Sequence, residues 1–152
     1  PRETGFVTLE LGNCYKVLNQ WQKAKEMYHL ASENFAIFED YNELIIAQSA
    51  LAYAHLKTGD ISEAYKITNP LFPHLETLNT SGWNYLIEIY LHNYLVLKAV
   101  ADVRAERVLI QGKAILDEMI SKIKSTELRQ AMIENISEHR QLISLVPEGC
   151  GA

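Results

Sequence analysis

The stretch Leu11-Gly12-Asn13-Cys14-Tyr15, followed by Ala24, Tyr28 and Ala31, decides the reading of this chain, because it has a counterpart 40 residues further on. There Leu51-Ala52-Tyr53-Ala54-His55 is followed by Gly59, Asp60 and Ala64. Leu11 falls on Leu51, Gly12 on Ala52 and Ala24 on Ala64. A self-similar period with small residues at fixed slots marks an array of helical hairpins, each repeat being one supersecondary unit. Two antiparallel helices approach closely only where side chains are small. Gly12 with Ala24, and Ala52 with Ala64, are therefore expected where the helices of each hairpin cross. Tyr15 and Tyr28 are expected to fill the wider gaps, and Ala31 to face the next hairpin.

Working outward, apolar residues at steps of three and four place a helix over about 5–18 and a second from Trp21 toward Phe38, with Asn19-Gln20 as the turn. Glu39-Asp40 brings acids to the start of a helix over 41–57, apolar on most sides through Leu44, Ile45, Ala47, Leu51, Ala52 and Ala54. Gly59 is expected to end it and Asp60 to cap the next, from Ile61 to about Leu78. Pro70 and Pro73 each remove a helical hydrogen bond, which predicts a kink or break near Asn69. Thr80 or Ser81 caps a third pair. Trp83, Ile87, Tyr90, Tyr94 and Leu97 stripe its first helix, Ala101-Asp102 makes the turn, and Val108, Leu109, Gly112, Ile115, Leu116, Met119 and Ile123 stripe its second. Ala105 is the best candidate for the small slot of that helix. Ser125 caps a last helix with Leu128, Met132 and Ile136 on one face, and Ser137, a second capping residue, restarts a turn through His139 to Leu145. The expected organisation is one all-α domain over 1–146, with repeats at about 5–38, 41–78 and 81–123, closing helices at 125–145, about seven helices in all, and a disordered tail over 147–152.

Composition narrows the classes. Of 152 residues, 48% are hydrophobic, enough for a sizeable core, and four prolines with seven glycines suit long helices joined by short turns. The net charge is −5 and no run of five Lys or Arg occurs, which argues against nucleic acid as a partner. Cys14 and Cys150 lie far apart, Cys14 in a helix slot expected to be packed; a reduced, cytoplasmic setting is expected over a disulfide framework. No secretory leader is expected. The most apolar run, Trp83 to Val100, contains Asn84, Glu88, His92, Asn93 and Lys98, so no membrane span is expected. The first residue is Pro1, which suggests a segment of a longer protein.

The residues of the first repeat read Thr8-x2-Leu11-Gly12-x2-Tyr15, then Ala24-x3-Tyr28-x2-Ala31. The tetratricopeptide signature is W-x2-L-G-x2-Y, then A-x3-F, and the chain resembles that family; Thr8 stands in the tryptophan slot and Ala36 in the closing proline slot. The missing proline lets the second helix run on, which accounts for a period of 40 where the family has about 34. The resemblance implies a short right-handed superhelix of hairpins whose inner face is lined by the first helix of each. A further stretch, Ile123 to Arg140 with Leu128-Arg129 and Met132-Ile133, is similar to the closing segment of tetratricopeptide regions in large bacterial signalling proteins. Those proteins couple an AAA-type ATPase to a cyclase, kinase or DNA-binding output. This chain has neither G-x-x-x-x-G-K-[ST] nor a basic recognition helix, so the resemblance implies a regulatory part and not a catalytic one.

The chemistry-bearing residues are sparse. His29, His55, His74, His92 and His139 include no i, i+4 pair and no cysteine at metal-ligand spacing, so no metal and no cofactor are expected. Asp102, Glu106, Asp117 and Glu118 read as a solvated helix face. No nucleophile–base constellation emerges, and the chain is not read as an enzyme. The inner face is the functional surface that the fold implies. Asn13 and Lys16 from the first repeat, with Ser49, Tyr53 and Lys57 from the second, are expected to line a peptide-binding groove. Lys16, Lys57 and Lys98 recur every 41 residues as a basic rail for an acidic or C-terminal peptide. Some tetratricopeptide domains grip a C-terminal carboxylate with a Lys and Asn clamp; Asn13 matches one slot, while Leu9 and Tyr53 stand where Lys and Asn belong. The expected function is a protein-interaction or regulatory module of a cytoplasmic signalling protein, the alternative being an inducer-sensing domain. The apolar outer side of the first helix (Phe6, Val7, Leu11 and Val17) is expected to support a homodimer.

Overall fold

The computed structural model describes residues 2–75 and 85–147. These residues form eight helices and no strand: α1 (Arg2–Val17), α2 (Trp21–Ile37), α3 (Tyr41–Lys57), α4 (Ile61–Leu75), α5 (Leu86–Ala99), α6 (Ala105–Ser121), α7 (Thr126–Asn135) and α8 (Ser137–Leu145). The chain is all-α. The expected cap at Thr80 or Ser81, the stretch to Leu78, the contribution of Trp83 and the tail beyond 147 lie outside the described residues.

The sequence dictates the hairpins through two devices. The first is the turn. After α1, α2, α3 and α5 the chain passes through one left-handed residue, respectively Asn19 (φ 55°), Glu39 (φ 53°), Gly59 (φ 85°) and Ala101 (φ 55°). The following amide then reaches back to the carbonyl five residues earlier, Gln20 to Tyr15, Asp40 to Phe35, Asp60 to His55 and Asp102 to Leu97, at 2.9–3.0 Å. Asn and Gly accept this backbone cheaply, whereas a Cβ at Ala101 meets the following carbonyl. Ala101→Gly is therefore expected to stabilise the fold by about 1 kcal/mol, read as a higher urea midpoint at unchanged slope; an unchanged or lower midpoint would show that this turn is not strained. The second device is the small residue. A Cβ on Gly12 would stand 2.5 Å from the ring of Tyr28, and one on Gly5 2.8 Å from the ring of Phe35. The pairs run in opposite senses along α1 and α2, so the two helices are antiparallel and touch backbone to ring. Asp60 accepts from the Glu63 amide at 3.2 Å and Ser125 from the Leu128 amide at 3.3 Å, as read from the sequence, whereas Ser137, also expected to cap, is the first residue of α8, with Ile136 at the N-cap position.

Successive helices pack on one another from α1 to α4, and α5 is the hub, touching α3, α4, α6 and α8. Ten of its fourteen residues are buried. One hydrophobic cluster runs from Leu9 of α1 through Tyr28, Phe35, Ile46, Leu71, Tyr90, Leu109 and Leu116 to Leu142 of α8.

Four expectations are corrected. α4 is helical through both Pro70 and Pro73, so of the kink or break expected near Asn69 the break does not occur. Both prolines are exposed near its end, while Leu71 and Leu75 on the opposite side are buried and hold the last turns against the core. Residues 137–145 form a helix of their own where a turn was expected, which makes eight helices among the described residues. Asp102 is no solvated side chain. It accepts from Tyr65 and Arg104, and the Arg104 hydrogen bond holds its carboxyl well below the usual range. Cys14 is exposed and not packed, because its face of α1 has no neighbour among the described residues. Along α7, Met132 packs against the core, while Leu128 is 63% exposed.

Candidate functional site

Polar side chains converge where α1, α3, α5 and α8 meet. Their placement follows from helix periodicity. Glu88 and His92 lie one turn apart on α5, and burial of that helix on nearly every side forces any polar residue it carries to find a partner. Glu88 finds Lys16 of α1, whose ammonium also lies 3.4 Å from Glu138 of α8. His92 Nε2 lies 3.6 Å from the Glu88 carboxylate. One cation thus serves two carboxylates contributed by helices far apart in sequence. Burial works to lower the Lys16 pKa, but Glu88 and Glu138 outweigh it and hold it above its ordinary value. Burial raises the Glu88 carboxyl despite Lys16, with Glu138 and Glu10 adding to the rise. His92 is kept neutral, first by burial and then by the Lys16 charge.

An aromatic wall stands beside this cluster. Tyr53 of α3 stacks on the His92 imidazole with centroids 4.2 Å apart and planes 12° from parallel. Trp21, the first residue of α2, meets Tyr53 edge-on at 5.5 Å. The Lys57 ammonium lies 5.3 Å above the Trp21 ring. Together Lys16, Trp21, Tyr53, His92, Glu138 and Gln141 border a cleft of about 330 Å³. The adjoining space between α1, α3 and α5, beside Leu9, Asn13, Ala50 and Glu88, holds about 10 Å³, so it is filled by its own side chains.

The expected groove residues separate accordingly. Lys16, Tyr53 and Lys57 come together at the cleft. Asn13 lies beside it, its Oδ1 accepting from the buried Tyr28 hydroxyl at 2.9 Å. Ser49 is buried at the α3–α5 junction, where its hydroxyl accepts from Asn93 at 2.9 Å. Lys98, at the far end of α5, is exposed and donates to the Tyr94 hydroxyl at 2.7 Å. Three lysines at one spacing therefore occupy three different settings: an ion pair, an aromatic face and a tyrosine hydroxyl. Trp21, Glu88, His92 and Glu138 were not among the expected site residues. Their signal was present, since Glu88, His92 and Asn93 are polar residues inside an otherwise apolar helix.

Among the described residues no three His, Cys, Asp or Glu side chains are grouped to hold a metal ion. No helix among them is long and apolar enough to cross a membrane. The described residues thus define an all-α protein of eight helices with an aromatic-walled cleft. It matches no family model, no curated protein and no solved structure.

Proposed function

We propose that this chain is a non-catalytic helical-repeat module of the tetratricopeptide type, with its hairpins wound as a short superhelix, and that it binds a segment of a partner protein in the cleft between Trp21, Tyr53 and α8. The observation that carries this reading is the Trp21–Tyr53–His92 wall: rings already held in place by one another present apolar area at low entropic cost, the property of an interface anchor. Lys57 at the rim supplies a charge that attracts an acidic group. The non-catalytic part rests on the charges of the cleft being spent on each other, Lys16 on Glu88 and Glu138. The resemblance of residues 123–140 to the closing segment of signalling proteins supports a regulatory role in a larger cytoplasmic assembly. A second reading, recognition of a small molecule, draws on the volume of the cleft, which falls within the range of small-ligand sites.

Selection from a random peptide library on the immobilised chain supplies the ligand for the test. Tyr53→Ala is expected to weaken a selected peptide by more than about 1 kcal/mol and to shift the melting temperature less than a core substitution does. Lys57→Glu is expected to slow association, most at low salt, because the rim charge acts through steering. Equal binding by both variants, with loss of binding in Lys66→Glu on the outer helix α4, would overturn the assignment. Binding of metabolites but of no peptide would favour the second reading.

A further inference from the structure

The cleft has a carboxylate without a cation of its own. Lys16 and Glu138 border it, and Glu88 stands behind Lys16. The Lys16 ammonium lies closest to Glu88 and reaches Glu138 only at 3.4 Å, so one cation is shared between two anions. His92 adds no charge, being kept neutral by burial and by Lys16. Arg140, two residues along α8, is turned to α7, where it donates to the Glu134 carbonyl at 2.7 Å. Lys57 is exposed and lies over the Trp21 ring at the rim. Glu138 carries its charge: burial works to raise its carboxyl, but the Ser137 hydroxyl, 2.7 Å away, and Lys16 outweigh it and hold it below its ordinary value. Its side chain is 26% exposed, and that remaining surface faces water.

These charges restrict what can seat there. A segment laid against Trp21 and Tyr53 covers Glu138 and removes its water. An apolar anchor would leave that carboxylate with a shared ammonium and one hydroxyl, a costly state for a covered anion. An acidic anchor would add a third negative charge. A cationic anchor avoids both penalties, and the walls select its shape. Val17 and Leu91 offer apolar surface to an aliphatic stem. Trp21 and Tyr53 offer rings to a cation, as Trp21 already does to Lys57. A guanidinium satisfies all three conditions, since it is flat, stacks on rings and donates hydrogen bonds in pairs to a carboxylate, whereas an ammonium is a strongly hydrated point charge.

We propose that the cleft selects arginine: the partner segment places an arginine side chain between Tyr53 and Glu138, with its guanidinium on the Glu138 carboxylate and its stem along Val17 and Leu91. This rests on the cleft being where the partner segment binds. An acidic residue beside that arginine falls at Lys57 on the rim, so the segment carries a basic anchor with an acidic neighbour. The Lys16–Glu88 pair stays in place behind it.

Random-peptide selection on the immobilised chain tests the assignment. The selected peptides are expected to hold arginine at one fixed position. Replacing that arginine with citrulline, which keeps the shape and loses the charge, is expected to weaken binding by about tenfold or more in a fluorescence titration. Glu138→Gln is expected to weaken the arginine peptide by about as much and to leave the citrulline peptide nearly unchanged, the signature of a direct pair. A thermal melt of Glu138→Gln reports that the fold is intact, and the citrulline comparison reads the same contact in the unaltered protein. Peptides that depend on Tyr53 yet carry an apolar or acidic anchor, or that lose nothing on the change to citrulline, would overturn the arginine site and leave the cleft standing as a peptide site. So would a citrulline peptide weakened by Glu138→Gln as much as the arginine peptide. Peptides indifferent to Tyr53→Ala, or a selection that yields none, would overturn both assignments.

Discussion

Lys16→Met is expected to lower the unfolding free energy by about 3 kcal/mol, the low end for removing one partner of a buried ion pair. Methionine retains most of the aliphatic stem, so packing changes little and the loss reports the charge. Without the ammonium, Glu88 is left without its cation in a site where its side chain is 16% exposed, with Glu138 as a second negative charge nearby. Glu88 already titrates above the usual carboxylate range through burial, and loss of Lys16 raises it further. The folded chain then takes up a proton before the unfolded chain does. The variant should consequently regain stability as pH falls from neutral toward the ordinary carboxylate range. Glu88→Leu together with Lys16→Met should recover much of the loss at neutral pH, since removing both partners costs less than stranding one. Urea denaturation at two pH values measures all three effects. A Lys16→Met loss below about 1 kcal/mol, the range of an exposed pair, would mean that α1 is not anchored to α5 and α8 by this cluster.

Gly12→Val is expected to cost about 1–3 kcal/mol through overpacking. The first added atom would lie 2.5 Å from Tyr28 Cε1 and 2.6 Å from Cδ1. Tyr28 is fully buried and its hydroxyl donates to Asn13, so its ring cannot swing away without breaking that bond or opening the core. The strain must go into the α1–α2 separation, and with it the position of Lys16 at the cleft. A thermal melt gives the stability, and an unchanged melting temperature would place the helix crossing elsewhere.

The fold was legible because its determinants are local. The 40-residue period, the glycine and alanine slots and the turn residues Asn19 and Gly59 are properties of short segments, and α3 spans Tyr41–Lys57 as its periodicity predicts. The exceptions have a common cause in tertiary contacts. Pro70 and Pro73 predict a kink or break, and burial of Leu71 and Leu75 keeps the helix unbroken. Asp102 looks solvated until Arg104 and Tyr65 are seen to bind it. Cys14 occupies a slot that is packed in α3 and open in α1. The site was legible in part. Tyr53 and Lys57 were found because helix periodicity puts them on one face. The role of Lys16 was hidden because Glu88 and Glu138 approach it from 72 and 122 residues away, distances over which no local pattern speaks. Equal spacing of Lys16, Lys57 and Lys98 records the repeat, but their settings depend on which neighbour each meets.

Amide hydrogen exchange of the chain, alone and saturated with a library-selected peptide, tests the cleft most directly. The expected result is new protection at the first turn of α2 around Trp21, in the last turns of α3 around Tyr53 and in α8 around Glu138, all abolished in Tyr53→Ala. Protection confined to the outer helices α4 and α6, with these three segments unchanged, would contradict it.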